Sequence, residues 1–177
     1  MTNWLLRTFI KNSDHPEDPK VRAAVGILSG IVGIFCNILL FGGKLAVGLL
    51  TRSVSITADA MNNLSDATSS VVTMLGFRLA ERPADEEHPF GHARYEYLSG
   101  LAVSALILII GVELAKSSLE KILHPAAVEF SWVSVGVLLA SIAVKLWMAA
   151  FNVGLSKKIQ SATLMATAAD SRNDVIT

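Results

Sequence analysis

Three long apolar runs divide the chain, from about Val25 to Leu50, from about Tyr97 to Ile122 and from about Trp132 to Leu155. A helix needs about 20 mainly apolar residues to cross the hydrocarbon of a bilayer, and each run reaches that length. Residues 54–80 are as long but polar, with Ser55, Thr57, Asp59, Asn62, Asn63, Ser65, Asp66, Thr68, Ser69 and Ser70. No Pro or Gly interrupts this stretch before Gly76. It therefore predicts a second helix, shielded from lipid by its neighbours. A fifth helix is predicted from about residue 159, still running at Thr177. A helix carrying Asp170 and Asp174 is not expected to end three residues later, so the chain reads as a fragment of a longer protein.

Composition sharpens this picture. The chain is 52% hydrophobic and 17% charged, with a mean hydropathy of +0.51. Soluble domains carry more charge. The fold class expected is all-α, a polytopic membrane helix bundle occupying residues 25–177 and surrounded by lipid. Residues 1–24 read as a cytoplasmic amino-terminal arm: Trp4, Leu5 and Leu6 precede a polar stretch from Lys11 to Lys20 that holds Pro16 and Pro19. No cleavable signal peptide is visible there. Zero net charge gives no reason to expect nucleic acid as a partner. The single cysteine, Cys36, rules out an intrachain disulfide framework and a cysteine zinc cluster, and reads as a small hydrophobe.

Positive charge orients the bundle. Arg7, Lys11, Lys20, Arg22, Arg78, Arg82, Arg94, Lys157 and Lys158 fall on one side, and only Arg52, Lys116 and Lys121 on the other. The positive-inside rule then puts the amino terminus in the cytoplasm. Lys44 and Lys145 lie within or near the ends of spans and read as side chains snorkelling to an interface. Gly26, Gly30 and Gly33, with Gly42, Gly43 and Gly48 beyond them, either let helix one approach a neighbour or reflect the abundance of glycine in membrane helices. His15 and His124 read as ordinary surface residues.

Chemistry concentrates in the two polar helices. Asn62 and Asp66 are spaced i, i+4, as are Asp170 and Asp174. Each pair therefore shares one helical face, a turn apart. Ionisable groups inside a span are costly and mark substrate paths. If the two faces meet, four oxygen-bearing side chains converge into a site for a divalent cation. The structural alternative is that they are caps or loop residues. Asp59 lies on the same broad face and reads as a helix cap or as part of a vestibule. Arg172 points nearly opposite to Asp170 and Asp174 and is expected to pair with a carboxylate elsewhere.

The run Arg52-Ser-Val-Ser-Ile-Thr-Ala-Asp-Ala-Met-Asn-Asn-Leu-Ser-Asp66 resembles the second-helix signature of the cation diffusion facilitators. Ala169-Asp-Ser-Arg-Asn-Asp-Val-Ile-Thr177 is similar to their fifth-helix signature, and Pro83-Ala-Asp-Glu-Glu-His-Pro-Phe-Gly-His-Ala-Arg-Tyr-Glu-Tyr-Leu98 to the cytoplasmic loop between helices two and three. The resemblance implies a six-helix fold, a homodimer and a cytoplasmic carboxy-terminal domain. The sixth helix and that domain lie outside this sequence. It also implies a multi-pass protein, in the inner membrane if prokaryotic, whose transport site maps to Asn62, Asp66, Asp170 and Asp174.

No histidine stands at those positions, and the set resembles the manganese-transporting branch. Oxygen donors suit harder ions than imidazole does, so Mn2+ is the expected cargo, with Zn2+ and Fe2+ as alternatives. No resident cofactor is expected. In the loop, Asp85, His88 and His92 correspond to a second metal site of some zinc-transporting relatives. Pro89 and Gly91 argue against regular helix there, and a structural loop with both histidines bonded to backbone is the alternative. Glu86 and Glu87 would raise the local cation concentration.

The mechanism expected is alternating access. Three aspartates in one low-dielectric pocket repel one another, so an empty site is expected to hold a proton that an incoming dication expels. This gives export in exchange for H+. No phosphate-binding glycine loop is present, which fits a secondary transporter rather than an enzyme. An intramembrane aspartyl protease would also use two aspartates on separate helices, but i, i+4 pairs that include an asparagine fit metal ligation better. A metal-responsive membrane scaffold is the third reading.

Overall fold

The computed structural model describes Ile10, residues 16–123 and residues 131–176. The readings of the remaining arm residues, of His15 and of His124 lie outside the described residues. Five α-helices occupy the described residues: α1 (Pro19–Leu50), α2 (Val54–Ala80), α3 (Arg94–Leu123), α4 (Trp132–Ile159) and α5 (Ala162–Ile176). Three of them, α1, α3 and α4, are long and apolar enough to cross a membrane. The chain is a membrane helix bundle, as the apolar runs imply.

Helix boundaries follow from capping. Asp18 accepts a hydrogen bond from the Lys20 N–H at 2.8 Å, and Pro19 takes the first helical position. A proline there loses no helical bond. α1 therefore begins inside the stretch expected to be an arm. Ser53 caps α2, accepting from the Ile56 N–H at 3.4 Å. α4 runs on through Lys157 and Lys158, placing them in its last turn rather than in a loop. Positive charge there complements the helix carbonyl end. Gln160 then turns left-handed, with φ 48° and ψ 50°, and stops the helix.

α1 and α2 pack most extensively, and glycines set their distance. A Cβ on Gly26 would stand 2.0 Å from Phe77 Cγ, and one on Gly30 would stand 2.5 Å from Met74 Cβ. Gly33 faces Ser70 in the same way. These three recur at i, i+4 and i+7 and form the seam. Gly42 and Gly43 meet nothing within 4 Å, so they lie outside it.

α2 satisfies its hydroxyls within the helix. Hydroxyls of Thr57, Ser70 and Thr73 donate to the carbonyls of Ser53, Asp66 and Ser69 at 2.9, 2.9 and 3.1 Å. The exposed Thr68 does the same to Leu64 at 3.2 Å. A hydroxyl folded back on its own helix adds little unsatisfied polarity to a buried segment. Asn63, Asp66, Ser69, Ser70 and Thr73 are buried. By contrast α3 turns Leu101, Leu108, Ile109 and Val112 outward, as a lipid-facing surface requires.

The apolar core fills one end of the bundle. Val21 and Val25 of α1, Phe77 of α2, Phe151 and Leu155 of α4 and Leu164 of α5 cluster there. Deeper in, the Ser29 hydroxyl donates to Asn152 Oδ1 at 2.6 Å and ties α1 to α4. Toward the α1–α2 turn the packing loosens into a cavity of 530 Å³. Asp59, Asn62 and Asn63 of α2 and Asp174 of α5 line it.

Candidate metal centre

The two i, i+4 pairs come from helices that scarcely touch one another. α2 packs on α1 and α3, whereas α5 packs chiefly on α4. Asp66 of α2 and Asp170 and Asp174 of α5 nevertheless each place a carboxylate oxygen within 4.8 Å of the others. Asp66 is buried, and Asp170 and Asp174 are half-buried. Asn62 is half-buried one turn from Asp66 and lines the cavity together with Asp174. All four positions lie within helices, so none is a cap or loop residue. Three carboxylates at this spacing offer hard oxygen donors to a small dication.

Lys145 of α4 completes the constellation. Its Nζ donates to Asp66 Oδ2 and to Asp174 Oδ2, at 2.6 Å each, with only 4% of the side chain exposed. It does not snorkel. The signal was in the sequence: Lys145 lies roughly 20 Å along α4 from its start at about 1.5 Å per residue, too deep for its side chain to reach an interface. A lysine at that depth needs carboxylate partners, because an unpaired charge there is prohibitive.

Lys44 is likewise paired rather than snorkelling. Its Nζ stands 2.8 Å from Asp59 Oδ2, with 5% of the side chain exposed. Asp59 is therefore an ion-pair partner on the cavity wall and not the cap of α2, a role Ser53 fills. Asn63, adjacent to Asn62, donates to the Asp59 carbonyl at 2.9 Å while its Oδ1 is buried with no hydrogen-bond partner. Arg172 is exposed on α5.

The α2–α3 loop brings Asp85, His88 and His92 together, with one ligand atom of each within 4.8 Å of the others. The loop is not helical. Gly91 adopts φ +77°, a left-handed conformation suited to glycine, and its N–H donates to the His88 carbonyl at 2.9 Å. This turn brings the two imidazoles to 4.4 Å between ring centres. His92 Nδ1 lies 3.1 Å from the Pro83 carbonyl, which leaves Nε2 facing Asp85 Oδ2 at 3.5 Å. A backbone carbonyl on one ring nitrogen orients the other for a metal. Asp85 also accepts from the His88 backbone N–H at 2.7 Å, and that bond holds its carboxyl below the ordinary carboxylate value. Of the backbone bonds expected for both imidazoles, only that of His92 forms; the His88 ring instead lies 3.2 Å from Asp85 Oδ1.

Comparison with known proteins places these features in a family. A model of the cation efflux transmembrane domain matches residues 30–177. An uncharacterized transporter of Methanocaldococcus jannaschii is 33% identical over 146 residues, covering 82% of this chain and 52% of that protein. Manganese efflux system protein MneS of Bacillus subtilis is 31% identical over 149 residues, covering 84% of this chain and 51% of that protein. Manganese efflux system protein MneP of the same organism is 25% identical over 147 residues, covering 82% and 49% respectively. The chain spans about half the length of these relatives. Members of the matched family are transporters rather than enzymes. With that match running from the glycine seam of α1 through both carboxylate helices, the chain belongs to the cation efflux family, the cation diffusion facilitators its helix motifs resemble.

Proposed function

We propose that this chain forms the transmembrane part of a secondary transporter that exports a divalent cation, Mn2+ above all, from the cytoplasm in exchange for H+. The observation that carries the proposal is the convergence of Asp66, Asp170 and Asp174 from two helices into one partly buried cluster. Asn62 on the cavity wall supplies the fourth oxygen donor. The donor set holds no sulfur or imidazole, which favours a hard ion over zinc. Two relatives named as manganese efflux proteins support the same cargo. Zn2+ and Fe2+ are the alternatives, since oxygen sites accept both.

The charge balance supports exchange with protons. Three carboxylates and the Lys145 ammonium carry two negative charges in excess when all are ionised. A dication neutralises that excess, and protons do so when the metal has left. The split of the ligands between the α1–α2–α3 and α4–α5 groups supports alternating access, because one group rocking against the other about a fixed end opens and closes the site. Asp85, His88 and His92 form a second, loop-borne metal site on this reading, and the functional unit is a homodimer with its amino terminus in the cytoplasm.

The test is metal flux into proteoliposomes holding the full-length protein, with Mn2+, Zn2+ and Fe2+ compared under an imposed pH gradient. Asp66→Ala and Asp174→Ala are expected to abolish Mn2+ flux, and Asn62→His to shift preference toward Zn2+. Undiminished flux in both aspartate variants removes the proposed site. Mn2+ flux indifferent to the pH gradient removes the proton exchange alone.

A further inference from the structure

We propose that the Lys145 ammonium is the resident cation of the metal-free site, displaced into the adjoining cavity when a dication enters between Asp66 and Asp174. The proposal rests on the transport-site reading above and assigns that site a residue controlling its occupancy. Lys145 reaches the site from α4, a third helix, and its Nζ stands 2.6 Å from an oxygen of each of two proposed ligands. It occupies the space between carboxylates that come from different helix groups. A divalent ion binds carboxylate oxygen at roughly 2.0–2.6 Å, so a metal and an ammonium held by the same carboxylates would be close neighbours of like charge. The two cations are alternative occupants.

Charge decides between them. The ammonium offsets one of the three carboxylate charges, whereas a dication offsets two at the same oxygens and attracts each of them more strongly. A monovalent ion brings no such advantage over the tethered ammonium, which is already in place. Lys145 thereby excludes monovalent cations and admits divalent ones. When the metal leaves, the ammonium returns and joins α2 to α5 through its two bonds, holding the helix groups together around an empty site.

The structure provides somewhere for the side chain to go. The 530 Å³ cavity is lined by Lys145 itself, by Ser141 one turn earlier on α4, and by Asp59 and Asn62. Asn63, whose buried Oδ1 lacks a hydrogen-bond partner, lines it too. Lysine has a flexible four-carbon stem and three donors, so it can exchange its carboxylates for the Ser141 hydroxyl and Asn63 Oδ1, while Asp59 stays paired with Lys44 and Asn62 serves the metal.

The experiment is calorimetric titration of Mn2+ into the purified full-length protein in detergent, as wild type, Asp66→Asn, Lys145→Gln and Lys145→Arg. Each protein is titrated in an Asp85→Ala background that removes the loop site, and there Asp66→Asn is expected to abolish binding. Lys145→Gln is expected to bind Mn2+ at least tenfold more tightly than wild type, and Lys145→Arg no more tightly. Wild-type affinity in Asp66→Asn overturns the transport-site reading and this proposal with it. Loss of binding in Asp66→Asn, together with unchanged or weakened affinity in Lys145→Gln, overturns the displacement alone. A second measurement needs no altered lysine. Mn2+ is expected to raise labelling of the wild-type Lys145 amine by an amine-reactive reagent at least fivefold, read by peptide mass spectrometry, and to leave it unchanged in Asp66→Asn. Labelling of the wild type that Mn2+ does not raise overturns the proposal even where Lys145→Gln fails to fold.

Discussion

Arg22 of α1 holds Glu96 of α3 in a two-pronged ion pair, with Nε 2.6 Å from Oε2 and Nη2 2.8 Å from Oε1. The same guanidinium donates through Nη1 to the carbonyl of Ile159, the last residue of α4. Ser161 donates to Glu96 Oε1 at 2.7 Å, and Thr163 to the Glu96 carbonyl at 2.9 Å. One buried carboxylate thus fixes the α4–α5 corner against α1 and α3. Because α5 is short and barely meets α2, this corner sets where Asp170 and Asp174 arrive.

Removing Arg22 should loosen that corner. Arg22→Met leaves the Glu96 carboxylate, only 6% exposed, with the Ser161 hydroxyl but no counter-charge. Breaking a buried pair from one side costs about 3–5 kcal/mol, and the partial exposure of Arg22 lowers this to about 2 kcal/mol. Arg22→Lys is expected to recover only part of the loss, since an ammonium cannot match the fork geometry. Unfolding by mixed micelles of increasing SDS content, followed by circular dichroism, measures both. Wild-type stability in Arg22→Met would count against the corner as an anchor.

The glycine seam gives a contrast within one helix. Gly30→Leu forces a side chain into Met74 and is expected to cost about 1–3 kcal/mol or to prevent folding, as overpacking does. Gly43→Leu meets open space and should change stability by no more than about 1 kcal/mol. Thermal unfolding in detergent compares them. Equal tolerance at the two positions would remove the seam.

Asp66 and Asp174 should behave as a unit in metal binding. Each single alanine variant is expected to lose most Mn2+ affinity, so the double variant adds little further. Groups that act together are non-additive in this way. Calorimetric titration of the four proteins of the cycle tests it, and additive losses would mean that the two carboxylates act on separate ions.

The loop should respond to acid through Asp85. Its carboxyl is held below the ordinary value of 3.8, first by the His88 backbone N–H and then by the His88 and His92 side chains. A depressed folded-state value contributes order that is present above the ordinary carboxylate value and lost as pH falls through the lowered one. Hydrogen-exchange protection of the His88 amide is therefore expected to persist at pH 5 and to fade below about pH 4. Asp85→Asn should remove that acid transition, and a transition surviving in the variant would assign it to another group.

The apolar runs of α1, α3 and α4 were legible from the chain alone, because crossing hydrocarbon demands a length and composition that no fold-specific contact can supply. So were both carboxylate pairs, since i, i+4 spacing fixes a shared face whatever surrounds the helix. The polar α2 could be recognised by its length and by its freedom from Pro and from early Gly. What kept its hydroxyls from being a burden, their bonds back to carbonyls one turn earlier, became visible only in the helix itself.

Tertiary structure alone decided the partners. Depth along its helix marks Lys145 as a lysine that needs carboxylate partners, but neither it nor Lys44 carries in the sequence which ones. Their roles depend on the distance across the bundle to Asp66, Asp174 and Asp59, and linear spacing within one helix does not encode that distance. The same holds for Gly30 against Gly43, and for His88 meeting His92 through a turn. Periodicity reports which face a residue occupies. Which neighbour that face meets is set by how whole helices pack, and there the partner of a buried charge is chosen by proximity among residues far apart in the chain.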